Sequence, residues 1–279
     1  MNLKSLSLAF FAALLALPAV PEIGTAQDGR DNPLNPTPSR KQILVGPTFG
    51  ITRNYHTGNF RVIDDPSCPL FTDGTGWGYL VGMTAEFLPN INGTWGIIPR
   101  ISFEQRPSQF TEELPNAKVL LPNNADPENP TIVDQTVSTL SDITYTLLNF
   151  EILYKQELVL LGNFRASVLG GPAFQYVLGG TKRQTQSLDQ PLEAVFTNPD
   201  NLPTEDGGRT LIFYDGDIPE RSATRISVKA GAQGEIGLFN NDWILTPGIF
   251  YDYGITDVTP TENWQLHSVI FQVDLRRAF

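Results

Sequence analysis

Twelve charged residues recur at alternate positions within apolar runs. They are Glu86, Glu104, Glu151, Glu235, Asp252 and Asp274 against Arg100, Arg106, Lys155, Arg165, Lys229 and Arg276, six acids facing six bases. Catalysis by such groups would need a carboxylate, or one of the two histidines, His56 and His267, held beside a nucleophile. Neither histidine lies in a recognisable nucleophile motif, and both fall at the ends of their runs, where bystander histidines are expected. Asp215-Gly216-Asp217 hints at calcium, yet a calcium loop ending in a bidentate Glu is absent, so a solvated turn is the expectation. The one cysteine, Cys68, cannot close an internal disulfide and has no activating neighbour. Glycine-rich phosphate loops, zinc spacings and basic patches are missing, and a net charge of -11 repels polyanions. No catalytic residue, cofactor, metal or nucleic-acid partner is expected.

The elements that must position the twelve charges are strands. In WQLHSVIFQVDLRRAF, from Trp264 to Phe279, Val269, Phe271, Val273, Leu275 and Phe279 share one face, with Arg277 as the exception, and Asp274 and Arg276 share the other. The same period predicts seven more strands: Ile43 to Tyr55, Gly76 to Leu88, Thr94 to Arg106, Leu140 to Gln156, Asn163 to Leu178, Ala223 to Leu238 and Trp243 to Gly254. In the fourth the phase blurs before Thr146, which predicts a bulge there.

Lys4, the apolar Leu6 to Leu17 and Gly24-Thr25-Ala26 have the order of a signal peptide, residues 1–26, too short in its apolar part to span a bilayer as a helix. Residues 27–41 read as a flexible periplasmic leader. Residues 42–279 form one β domain in which tight turns alternate with the longer connections His56 to Thr75, Pro107 to Thr139, Gly179 to Arg221 and Ile255 to Asn263. Those connections hold the net negative charge. Within them, Val119-Leu120-Leu121 and Leu211-Ile212-Phe213-Tyr214 could extend hairpins and offer an edge to a partner strand.

Aromatic residues sort the same way. Phe87, Trp95, Tyr154, Phe164, Trp243 and Phe279 fall on the apolar face at the short-turn ends, and Tyr55, Trp77, Tyr79, Tyr176, Tyr251 and Tyr253 near the long-loop ends. Two aromatic girdles around an aliphatic band suit a barrel with lipid outside and a polar lumen inside. With eight strands the interior is only wide enough for side chains, so the charges should neutralise one another rather than line a pore.

The chain resembles the OmpA/OmpX-like eight-stranded outer-membrane barrels, and more closely the PorT-type "outer membrane protein β-barrel" domains. The residues that carry this likeness are GPTFGI from Gly46 to Ile51, Leu169-Gly170-Gly171-Pro172, and the terminal Phe279. The resemblance implies an all-β, eight-stranded antiparallel up-and-down transmembrane barrel in a bacterial outer membrane. Its partners would be outer-membrane lipid, the barrel-assembly machinery that reads Phe279, and a protein at the extracellular loops. A structural or surface-interaction role is expected. The alternatives are a narrow pore for small solutes, an outer-membrane enzyme, or a soluble secreted β protein.

Overall fold

The computed structural model describes residues 43–60, 71–89, 94–122, 130–161, 164–188, 191, 193–197, 201–218, 220–238, 243–260 and 263–279. The signal segment, the leader, Cys68 and the turns at 90–93 and 239–242 lie outside them.

The described residues form eleven strands and no helix. They are β1 (Ile43–Phe60), β2 (Phe71–Phe87), β3 (Trp95–Leu121), β4 (Thr131–Leu161), β5 (Phe164–Ser187), β6 (Val195–Phe196), β7 (Thr204–Glu205), β8 (Thr210–Asp217), β9 (Thr224–Leu238), β10 (Trp243–Gly254) and β11 (Trp264–Ala278). All pairings are antiparallel. β4, β3, β2, β1, β11, β10, β9 and β5 pair in that order, and β4 also pairs with β5, so the circuit returns on itself. The count departs from the sequence expectation because β6, β7 and β8 form inside the segment between β5 and β9.

Period-two alternation becomes an inside and an outside. On β11, Ile270, Gln272, Asp274 and Arg276 are buried while Phe271 and Val273 are exposed. On β3, Arg100, Ser102 and Glu104 are buried while Ile97 and Ile101 are exposed. Polar side chains within and large apolar ones without reverse the usual burial order. The interior also holds apolar clusters. Leu80, Ile98, Leu153, Leu169, Phe250 and Ile270 form one, and Leu44, Leu88 and Ala278 another at the short-turn end.

Small residues let this wall curl. A Cβ at Gly46 would stand 1.8 Å from the Leu275 carbonyl oxygen, and one at Gly82 2.0 Å from that of Ile101. At both points the neighbouring backbone occupies the space a side chain would take.

Two expectations need correction. The connection Pro107 to Thr139 is mostly strand: β3 and β4 stay paired from Trp95↔Gln156 to Leu121↔Thr131, with a register shift between Leu114 and Ala117. The bulge lies on the neighbouring strand. Odd positions of β4 from Val137 to Lys155 are all buried, and the unpaired residue is Leu178 on β5, because Thr146 pairs with Gly179 and Leu147 with Val177. The phase blurs in the sequence because the inward residues Ile143, Tyr145 and Leu147 are apolar while the outward Thr144 and Thr146 are polar. Beyond the circuit, the β3–β4 hairpin, the end of β5 and β6 to β8 enclose their own small core of Val119, Val137, Leu188, Ala194, Phe196 and Leu211.

Gly82→Ala should lower stability by about 1–3 kcal/mol through overpacking against fixed backbone. Gly179→Ala, where a Cβ meets nothing within 4 Å, should be near neutral. Urea titrations of both variants in detergent compare the two directly, and equal midpoints would contradict the packing argument.

Candidate functional site

The charges that alternation places inside the circuit meet there. Among the described residues, six carboxylates (Glu86, Glu104, Glu151, Glu235, Asp252, Asp274) and six cations (Arg100, Arg106, Lys155, Arg225, Lys229, Arg276) are buried. Eleven of these are the residues expected from parity. The twelfth is Arg225, fully buried on β9 in phase with Ser227 and Lys229. Sequence reasoning missed it, although the same period continued one step further would have found it. Arg165 takes the opposite correction. It is the first inward position of β5 next to the short turn, and it is only half-buried.

The twelve side chains form one connected network along the interior. At the short-turn end, Lys155 reaches Glu86 at 2.6 Å and also Glu235. Glu86 is bridged to Asp274 by Arg276. Asp274 accepts from Arg100 at 3.2 Å and from the Thr48 hydroxyl at 2.6 Å, and Gln272 donates to that hydroxyl at 2.8 Å. Arg100 also binds Glu151 at 2.9 Å, and Lys229 reaches the other oxygen of the same carboxylate. The Asn149 amide donates to both Glu151 and Glu104, the latter at 2.8 Å. Glu104 accepts from Arg106 Nε at 2.9 Å, and Arg106 continues to Asp252. Arg225 ends the series, 3.4 Å from Asp252 and donating to Gln175 and the Leu266 carbonyl.

This arrangement pairs every buried charge with at least one of opposite sign. Freeing any member would leave an uncompensated charge in a low-dielectric interior. Within it the Ser102 hydroxyl donates to Glu104 at 3.0 Å.

The long-loop end is capped by an aromatic cluster. Phe71, Phe110, Tyr145 and Trp264 pack with Ile143, Leu147, Val177 and Leu266. His56 sits inside this cluster, fully buried rather than at a rim. Its Nδ1 accepts from the Trp264 indole at 3.2 Å, and its ring lies 5.8 Å from Trp264 and 6.0 Å from Phe110. His267 has the outward phase expected of it but is largely covered. Tyr253 stacks on it at 4.7 Å, Tyr251 lies 6.4 Å away, and its Nδ1 accepts from the Gly254 amide.

The twelve girdle aromatics all lie on the outer face, exposed or half-buried. Phe87, Trp95, Tyr154, Phe164 and Phe279 are exposed and Trp243 half-buried at one end; Tyr55, Trp77, Tyr79 and Tyr176 are exposed and Tyr251 and Tyr253 half-buried toward the other. Trp95 and Tyr154 stack at 6.1 Å. Among the described residues no group of three His, Cys, Asp or Glu could hold a metal. Asp215-Gly216-Asp217, expected as a solvated turn, is instead the end of strand β8, paired with β5 from Thr181 to Arg183; Asp215 lies 3.9 Å from Arg183, which binds Glu205 at 2.7 Å.

No family model matches the chain, and no curated protein matches it. Three solved structures are similar over most of their length. OmpT, an outer membrane protease of Escherichia coli, is 11% identical with a TM-score of 0.40, covering 85% of this chain and 97% of its own. Neisserial surface protein A is 10% identical with a TM-score of 0.38, covering 85% and 97%. Ail of Yersinia pestis, in complex with a heparin analogue, is 10% identical with a TM-score of 0.35, covering 84% and 99%. Likeness at this level carries no argument about activity.

Glu151 holds the centre of the network, so Glu151→Ala should cost about 3–5 kcal/mol by leaving Arg100 and Lys229 short of a counter-charge. Arg165→Ala should change stability by less than about 1 kcal/mol. Equilibrium unfolding in detergent measures both, and similar losses would place Arg165 back among the interior charges.

Proposed function

We propose that this chain is an integral outer-membrane barrel of eight membrane-crossing strands, β1 to β5 and β9 to β11, with an occluded polar interior and a non-enzymatic structural or surface-interaction role. The observation that carries the reading is the inverted circuit. Phe49, Ile51, Val81, Met83, Phe150, Ile152 and Phe174 are exposed on the outside, and the paired charges are inside. An apolar exterior band between aromatic girdles needs lipid, not water, as its solvent. A soluble β protein would present these rings to water.

The finer PorT-type assignment rests on the GPTFGI and Leu169-Gly170-Gly171-Pro172 runs. A Cβ at Gly46 or Gly171 would strike the adjacent strand's backbone, so these motifs mark close approaches in a narrow wall. The signal-peptide pattern supports export.

The rim supports the interaction role. β4 has 31 residues, whereas a tilted strand crosses a bilayer in about 9–11. The excess length is held by the Val119–Phe196–Leu211 core, which gives the outer segments a fixed surface. Glu113, Asp142 and Asp217 are exposed there, beside Asp134 and Glu205, which Lys118 and Arg183 already bind, so a protein partner would present basic groups, and its association would weaken with salt.

Folded into detergent, the mature chain should migrate differently on a denaturing gel before and after boiling, and in planar bilayers it should give no unitary conductance steps. A monodisperse folded protein in plain buffer would overturn the membrane reading, and regular steps would overturn occlusion. Phe196→Ala should leave the gel shift intact while opening the rim to protease, because the cavity it makes lies outside the circuit; loss of the shift would tie the rim to the barrel.

A further inference from the structure

The outer wall carries almost no charge, and the two charges it does carry share one design. From the level of Tyr55 and Trp77 to that of Trp95 and Phe279, the outward positions of the described strands hold Arg53 and Arg277 and no acidic residue. Each arginine is the cross-strand partner of a tryptophan, Arg53 of Trp77 and Arg277 of Trp243. The Arg53 guanidinium lies 5.3 Å from the Trp77 ring. That of Arg277 lies 6.0 Å from Trp243 and 5.6 Å from Phe279. One pair sits in each girdle, at opposite ends of the wall.

Neither guanidinium is ion-paired within the described residues. Arg53 gives one hydrogen bond, from Nη2 to the Thr75 hydroxyl at 2.8 Å. An aromatic ring within about 6 Å attracts a guanidinium, whose N–H edge can still donate to a further acceptor. That edge matches a phosphate, which takes two parallel N–H donors. The depth matches as well, because aromatic girdles lie at the level of lipid headgroups, and arginine on a lipid-facing strand is tolerated there but not at the midplane.

We propose that Arg53 with Trp77 and Arg277 with Trp243 are two clamps for the phosphate of a lipid headgroup, one for each leaflet. This rests on the membrane-barrel reading given above. It also accounts for Arg277, which breaks the apolar phase of β11: the residue places its aliphatic stem along the wall and its cation at the headgroups.

Native mass spectrometry of the full chain in detergent, titrated with dioleoylphosphatidylglycerol, tests the clamps, with dioleoylglycerol as the probe that has the same chains and no phosphate. Arg53→Gln and Arg277→Gln should each weaken phosphatidylglycerol retention about tenfold at one site, as loss of a charge-assisted hydrogen-bonded pair implies. The double variant should retain both lipids alike, and excess inorganic phosphate should not displace phosphatidylglycerol from the wild type. Wild-type retention in the double variant would overturn the proposal, as would equal retention of dioleoylglycerol by the wild type or displacement by free phosphate. A wild-type chain that shows no boiling shift on the gel would overturn the barrel and the clamps together, whereas a normal shift without headgroup preference would overturn the clamps alone.

Discussion

Arg100 bridges Glu151 and Asp274, and much of the fold follows from what those two carboxylates require. A carboxylate removed from water costs several kcal/mol unless cations and donors are brought to it. Glu151 stands on β4 and draws Arg100 from β3, Lys229 from β9 and Asn149 from its own strand. Asp274 stands on β11 and draws Arg100, Arg276 and the Thr48 hydroxyl of β1. Strands far apart in sequence are therefore held at one register by a demand for neutrality, where a soluble sheet is held by apolar packing. The backbone closes the circuit, and the charges fix how it closes.

That logic explains why so much of the interior was legible. In a strand the side-chain period is two, so a charge in phase with other polar residues must share their face. Eleven of twelve interior charges followed from this alone. The phase fails as a guide near element ends, where backbone direction does not say how much protein lies beyond the residue. Arg225 and Arg165 both sit near strand starts: Arg225 is fully buried beneath the aromatic cap, and Arg165 is half-buried. His56 was misjudged for the same reason, since its position near a long connection says nothing about Trp264 and Phe110 folding over it. The rim was legible only in its apolar runs, since Val119-Leu120-Leu121 and Leu211-Ile212-Phe213-Tyr214, read as hairpin extensions, lie in β3 and β8. Pro, Asn and Glu between Pro107 and Thr139 read as loop, yet cross-strand pairing and contact with β6 override local propensity.

The interior is layered rather than uniform. Leu44, Leu88 and Ala278 close the short-turn end, the charge network and the Leu80–Phe250–Ile270 cluster share the middle, and the Phe110–Tyr145–Trp264 group closes the other end. Apolar caps at both ends shield the ion pairs from water, and this shielding keeps their attraction strong. The apolar exterior and the polar interior are thus two results of one closure, and the extended β3, β4 and β5 raise a second, conventional apolar core above it.

The pairing of β1 with β11 joins the first and last strands of the circuit, from Leu44↔Ala278 to Gly58↔Trp264. Its side-chain bonds, Thr48 to Asp274, Gln272 to Thr48, Ser268 to Asn54 and Trp264 to His56, cross more than 200 residues of chain. Loop-closure entropy delays such contacts until everything between them is in place. The seam is thus the pairing with the largest closure cost in the circuit, and Asp274, Arg276 and Thr48 on its two strands are themselves members of the network. Arg276 to Glu86 and Arg100 to Asp274 span this seam, whereas Arg100 to Glu151, Arg225 to Asp252 and Arg106 to Glu104 join neighbouring strands or lie within one, so closing the chain completes a neutralisation that the local pairings begin.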